Sequence, residues 1–278
     1  MPKKVSKNKK ARHTPPRQQI EEKPFPFMEL PPELRDMIYE MALTDVNGIS
    51  IVSKSKAYRR TVCRAPIYDS EWTGYSRRRN HTYGTKRPIL DDGREELAPQ
   101  ERSLVPNILA VSKQIYKEAI GILYGQDFVI EDTDALHRFL AIIGLRNQQR
   151  LLSLDVNSFC EGRNKKIINH CAFMSLAGAT NLKSLRLNNA RFRYYGDAKG
   201  FARGFYCNAH FFLEAYGAAH GRRDAALDVL ELDDEIFDYF NPYRRNVDLT
   251  ARKPTGEELV QENKRMFRAE LCRLLGVK

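Results

Sequence analysis

Apolar positions recur along the chain with two periods, and the change from one to the other outlines the elements. After Pro31-Pro32-Glu33, apolar residues at 34, 37, 38, 41 and 42 follow helical spacing. Pro32 suits the first turn, where its missing N–H costs nothing. Asn47-Gly48 makes a turn, and residues 49–52 and 58–64 read as two short strands of a hairpin. Beyond Pro106, positions 108, 109, 111, 115, 119, 122 and 123 form the face of one long helix that ends before Gly125. Residues 128–130 read as a short strand. Asp132 or Thr133 caps the next helix, whose face is Leu136, Phe139, Leu140 and Ile143 and whose end is Gly144.

Three six-residue strings then share the pattern L-x-x-L-x-L. They are 151–156 (Leu-Leu-Ser-Leu-Asp-Val, with Val in the last place), 182–187 and 227–232. Helical stretches near 165–177 and 201–219 separate them, which predicts strand, helix, strand, helix, strand with alternate leucines turned into a core. The asparagine that completes a leucine-rich repeat would fall at 159, 190 and 235, where Phe159, Ala190 and Glu235 stand instead. Two readings stay open: irregular leucine-rich βα units, or an ordinary α/β layer with the same spacing. A last helix starts near Pro254, with capping-box spacing from Thr255 to Glu258 and Gly276 at its end. Its expected role is a lid over the end of the stack.

Hydrophobic residues at 42% and charged residues at 29% predict a folded chain with a sizeable core. The net charge of +11 is uneven. Residues 1–20 hold seven basic and no acidic residues, and residues 54–103 hold twelve basic and seven acidic, so the remainder carries −1. Residues 1–24 read as a disordered basic tail, either an import signal or a solvated arm. Residues 69–103, with Arg77-Arg78-Arg79 and few apolar positions, read as a flexible insertion. No apolar run reaches the roughly 18 residues of a membrane span, so no membrane partner is expected. The first nineteen residues lack a signal-like apolar stretch. Five scattered cysteines predict free thiols, and the expected location is the nucleus, the cytoplasm or both.

Two blocks carry a resemblance. In the first, Phe25, Phe27, Leu30, Pro31, Glu33, Leu34, Arg35, Ile38 and Tyr39 fit Phe-x-Phe-x-x-Leu-Pro-x-Glu-Leu-Arg-x-x-Ile-Tyr. In the second, Leu109, Val111, Ser112, Lys113 and Gln114 fit L-x-V-[CSN]-[KR]-Q. The chain thereby resembles the fungal F-box-like proteins. The resemblance implies a small helical module that docks on a Skp-type adaptor of a cullin–RING ubiquitin ligase, with the following domain holding an unknown protein client. It implies adaptor contacts from Leu30, Pro31, Pro32, Glu33, Leu34 and Ile38, with Leu30 and Pro31 as apolar anchors. Helix-in-groove recognition uses such spacing. The bland alternative is that the stripe packs only on the helix at 106–124. About 60 residues part the two blocks, where a standard F-box is continuous.

Candidate chemistry is thin. Cys207-x-x-His210, with Cys160, His170 and Cys171 upstream, is the best metal candidate, yet its upstream half lacks the tight spacing of a zinc site. Asp233, Asp234, Glu235 and Asp238 crowd the end of the third strand beside Phe237, Tyr239, Phe240 and Tyr243, which suits a solvated turn or a patch for a cationic partner. Residues 189–206 mix cations with aromatics, a composition that suits single strands of nucleic acid or a solvated loop. Nucleophile, P-loop and dinucleotide motifs are absent.

The expectation is an α/β protein, with α+β as a possible variant. An interrupted F-box-like module with an inserted hairpin fills 25–125, and an irregular leucine-rich-like body with a C-terminal helix fills 126–278. The expected function is a non-enzymatic interaction protein without cofactor or metal, serving as the substrate receptor of a cullin–RING ligase. The alternative is a nuclear scaffold or nucleic-acid-binding protein that works through its basic tail.

Overall fold

The computed structural model describes residues 25–56, 58–65, 104–159, 166–188, 196–238, 240 and 256–277. The basic tail, the insertion at 69–103, Cys160, residues 189–195 and Thr255 lie outside them. The elements in chain order are α1 (Pro32–Leu43), β1 (Ile49–Lys56), β2 (Arg59–Ala65), α2 (Lys113–Tyr124), β3 (Asp127–Ile130), α3 (Thr133–Ile143), α4 (Leu145–Gln148), β4 (Ser153–Val156), α5 (Lys166–Leu176), β5 (Ser184–Leu187), α6 (Ala198–His220), α7 (Ala226–Val229), β6 (Leu230–Leu232), α8 (Asp234–Asp238) and α9 (Gly256–Leu274). Short 3₁₀ turns precede α1 at Phe27–Glu29 and α2 at Pro106–Ala110.

The six strands form one sheet in the order β2-β1-β3-β4-β5-β6. The β1–β2 hairpin is antiparallel, and every other neighbour pair is parallel. From β3 to β6 the order rises without reversal. Parallel crossovers share one hand, so connections that all step the same way put their helices on one face. Accordingly α3, α5 and α6 pack side by side in a single layer, followed by α9 against α6 and α8. The fold is mixed α/β in two layers, as the leucine strings predict.

Register explains the layering. Ile49, Phe128, Leu154, Leu185 and Leu230 align across the sheet, and so do Ile51, Ile130, Val156, Leu187 and Leu232. These two rows face the helix layer. Between them Ser50, Val129, Asp155, Arg186 and Glu231 align on the opposite face. Beneath the helices lies an aromatic core in which Phe159, Phe173 and Phe205 meet edge-on at 5.4–6.0 Å between ring centroids. Phe201 stacks on Phe267 of α9 at 4.8 Å. Tight approach is needed where α6 ends: a Cβ on Gly217 would come within 2.9 Å of the Arg222 carbonyl oxygen.

Three expectations change. The single helix over 106–124 is broken at Ser112, whose extended backbone (φ −153°, ψ 158°) and hydroxyl, accepting from the Ile115 N–H at 3.1 Å, start α2 afresh. The hairpin does not stand apart within the first module. β1 pairs with β3, so one sheet runs through both halves of the chain. Gly48 makes that approach possible, with φ +77° and its Cα so close to β3 that a Cβ would meet the Asp127 carbonyl oxygen at 2.8 Å. The N–H groups of Asn157, Asn188 and Asp233 continue the ladder onto Ile130, Val156 and Leu187 carbonyls at 2.8, 2.9 and 3.4 Å. Finally, the alternative in which the whole α1 stripe packs on the 106–124 segment does not hold. Tyr39 and Leu43 are buried, while Leu34, Met37 and Met41 are exposed.

Candidate functional site

The site is built on α1 and the way it is fixed. A helical residue turns by about 100°, so Arg35, Tyr39, Ala42 and Leu43 share one side, Leu34, Met37 and Met41 the other, and Ile38 falls between them. The first side packs on α2. Tyr39, Leu43, Ile115 and Ala119 form a small buried cluster, with Phe27, Met28, Ile108 and Leu109 partly buried around it. Glu118 of α2 clamps the pair. It accepts the Tyr39 hydroxyl at 2.9 Å, pairs with the Arg35 guanidinium at 3.2 Å and accepts from Gln114 at 3.1 Å. The Gln114 and Tyr39 hydrogen bonds hold the Glu118 carboxyl below its usual range, with Arg35 adding to them. Burial, reinforced by Glu118, pushes the Tyr39 phenol up to about 12. Arg35 also donates to the Met28 and Leu30 carbonyl oxygens at 3.1 and 3.0 Å, which draws the turn before α1 onto the helix.

This clamp sets the rotation of α1 and thereby what it shows to solvent. Leu34, Met37 and Met41 are 46%, 56% and 64% exposed, and Ile38 is half-buried between the two sides. Of the remaining sequence candidates, Leu30 is half-buried, and Pro31, Pro32 and Glu33 are exposed at the start of the helix. Pro31 is the N-cap, with no side-chain cap bond. Next to the stripe, Met37, Met41, Thr44, Gly121, Ile122 and Gln126 line a cleft of about 630 Å³ between α1 and α2. Met37 and Met41 have a signal in the sequence. With Tyr39 and Leu43 also apolar, α1 holds more apolar residues than one side of a helix accommodates.

The opposite sheet face carries a charged row. Arg186 of β5 pairs with Glu231 of β6 at 3.1 Å and with Asp155 of β4 at 3.5 Å, and Asn188 donates to Asp155. Burial pushes the Asp155 carboxyl up, and Arg186 pulls against it.

The other candidates resolve into structure. His170 and His210 meet with ring centroids 5.7 Å apart, and Cys207 is exposed, but no three His, Cys, Asp or Glu side chains are arranged to hold a metal among the described residues. Asp234 pairs with Lys264 of α9, and Phe237 and Phe240 are buried in the aromatic core rather than displayed beside the acidic turn. In the basic-aromatic stretch, residues from Ala198 onward are helical. Arg203 is paired with Glu270 at 2.7 Å and the Tyr206 hydroxyl with Glu214 at 3.1 Å, so these two groups serve the fold.

No described helix is long and apolar enough to cross a membrane. No curated protein and no solved structure matches the chain. Residues 21–158, a span that includes α1 and β4, match the family described as a domain of unknown function, DUF7730.

Proposed function

We propose that the chain is a non-enzymatic, F-box-like interaction module that docks on a Skp-type adaptor through α1 and so acts as the substrate receptor of a cullin–RING ubiquitin ligase. One observation carries the reading: α1 is fixed from one side by Tyr39, Leu43 and the Glu118 clamp, and on the other it leaves Leu34, Met37 and Met41 in solvent. Three exposed apolar residues at i, i+3 and i+7 have the spacing of helix-in-groove anchors. Leu30 and Pro31 precede them at the point where the chain enters the helix. The packing of α1 with α2 and the turn before α2 into a small helical unit supports the reading. Such a receptor performs no bond chemistry itself. It holds a client near the ligase and converts a bimolecular encounter into a local one.

A pull-down of purified Skp-type adaptor by the full chain tests this, beside a Leu30→Ala/Pro31→Ala version with unchanged melting. Capture by the wild type and loss in the variant are expected. An adaptor that ignores the folded wild-type chain overturns the reading.

A further inference from the structure

A second cleft, of about 720 Å³, lies where the parallel strands begin. Its floor is Gly121 of α2 with Leu152 and Val229, which precede β4 and β6, and its walls include Arg150, Lys183 and His220. The wall backbone is held firmly. Asn181 donates to the Gln149 carbonyl oxygen at 2.6 Å, the Lys183 N–H to Leu152 at 2.7 Å and the Tyr216 hydroxyl to Leu182 at 2.6 Å.

The charges are not balanced in the same way. Arg186, Arg203, Arg222, Arg268 and Arg273 each have a carboxylate partner. Around the cleft, Arg150 donates to the Arg146 carbonyl oxygen at 2.7 Å and the Asn147 amide oxygen at 3.2 Å, and has no ion pair among the described residues. Lys183 has no ion pair among the described residues, and none of the described residues that line the cleft is a carboxylate. Two cations therefore flank an apolar floor without a carboxylate partner among the described residues.

We infer that this cleft seats an acidic peptide segment of a protein partner, with an apolar side chain over Gly121 and Leu152 and carboxylates at Arg150 and Lys183. Charge complementarity selects an anion. A peptide fits better than nucleic acid. Tight phosphate-backbone binding draws on many cations, and single-strand binding uses free aromatic faces. Here the wall aromatic, Tyr216, is 5% exposed and stacked on His220 at 4.2 Å, so it presents no free ring. The site shares Gly121 and Gly125 with the α1 cleft but no residue with the α1 stripe, and it stands without the adaptor reading.

Fluorescence anisotropy of the full chain with a labelled peptide alternating Glu and Leu tests the inference. Two variants perturb different properties. Arg150→Glu/Lys183→Glu reverses the charge, and Gly121→Leu fills the floor. The space where a Gly121 Cβ would stand is open, and glycine is unfavourable within a helix, so this variant folds. Affinity is expected to fall about tenfold or more in each, with binding by the wild type weakening as salt is added. Undiminished binding by either folded variant would place the peptide on other basic segments and overturn the inference. So would failure of the wild type to bind, or stronger binding of a single-stranded oligonucleotide of equal charge.

Discussion

The two hydrophobic cores of this protein differ in what they leave outside. The large one, under α3, α5, α6 and α9, takes in the two apolar rows of the sheet and a connected set of phenylalanines. The small one, between α1 and α2, buries Tyr39, Leu43, Ile115 and Ala119 and leaves Leu34, Met37 and Met41 exposed on the same helix. A sheet row aligned by register has one apolar side to satisfy, and a helix layer satisfies it. A helix with apolar residues on two sides needs two partners, and α2 is only one of them. The excess on α1 is the property that the proposed docking explains.

The comparison is sharpest where substitution removes the most packing. Phe205→Ala takes a fully buried ring from among Phe159, Phe173, Phe201 and Phe267 and should cost about 3–5 kcal/mol in denaturant melts. Tyr39→Phe keeps the ring in the small cluster and removes only the bond to Glu118, so about 1 kcal/mol is expected. That difference depends on pH. The folded phenol titrates near 12, above its ordinary 10, so the stability it contributes is present below pH 10 and lost as pH rises towards 12. Wild-type and Tyr39→Phe stabilities should therefore converge in that window.

The large core should show the opposite dependence. Glu270 is held at about 2 by hydrogen bonds from Arg273 and then Arg203, which tie α9 to α6. Its contribution is present above the ordinary carboxylate value of 4.5 and lost as pH falls towards 2. Glu270→Gln should thus melt below the wild type at neutral pH and alike in acid, with a modest gap because both arginines are mostly exposed. The smallest effect on stability belongs to the stripe. Leu34→Ala and Met41→Ala should each change unfolding free energy by no more than about 0.5 kcal/mol. A large loss there would mean that the stripe is part of the core after all.

Much of the fold is legible in local pattern. The L-x-x-L-x-L strings hold β4, β5 and β6, although in the third the strand begins only at Leu230 because Ala226–Val229 is helical. Asp132 and Gly144 bracket α3 as their chemistry predicts, the Asp132 carboxylate accepting from the Ala135 N–H at 2.9 Å. What escapes is non-local or masked by apolar excess. Nothing near Ile49 or Ile51 reveals that they will align with Phe128 and Ile130, because that pairing spans nearly eighty positions. The break at Ser112 is hidden because apolar spacing runs through it from both sides. In α1 the residues at helical spacing include the exposed ones, and only the Arg35–Glu118–Tyr39 contacts decide which side turns inward. The basic cleft draws on α2, α6 and three strand entrances, so no single stretch of sequence contains it.

The most direct measurement is a calorimetric titration of Skp-type adaptor into the full chain and into Leu34→Lys/Met37→Lys, with thermal melts of both. A partner-facing α1 predicts saturable binding by the wild type, its loss in the variant and melting temperatures within about 2 °C of each other. Equal binding by both proteins, or none by the folded wild type, would contradict it.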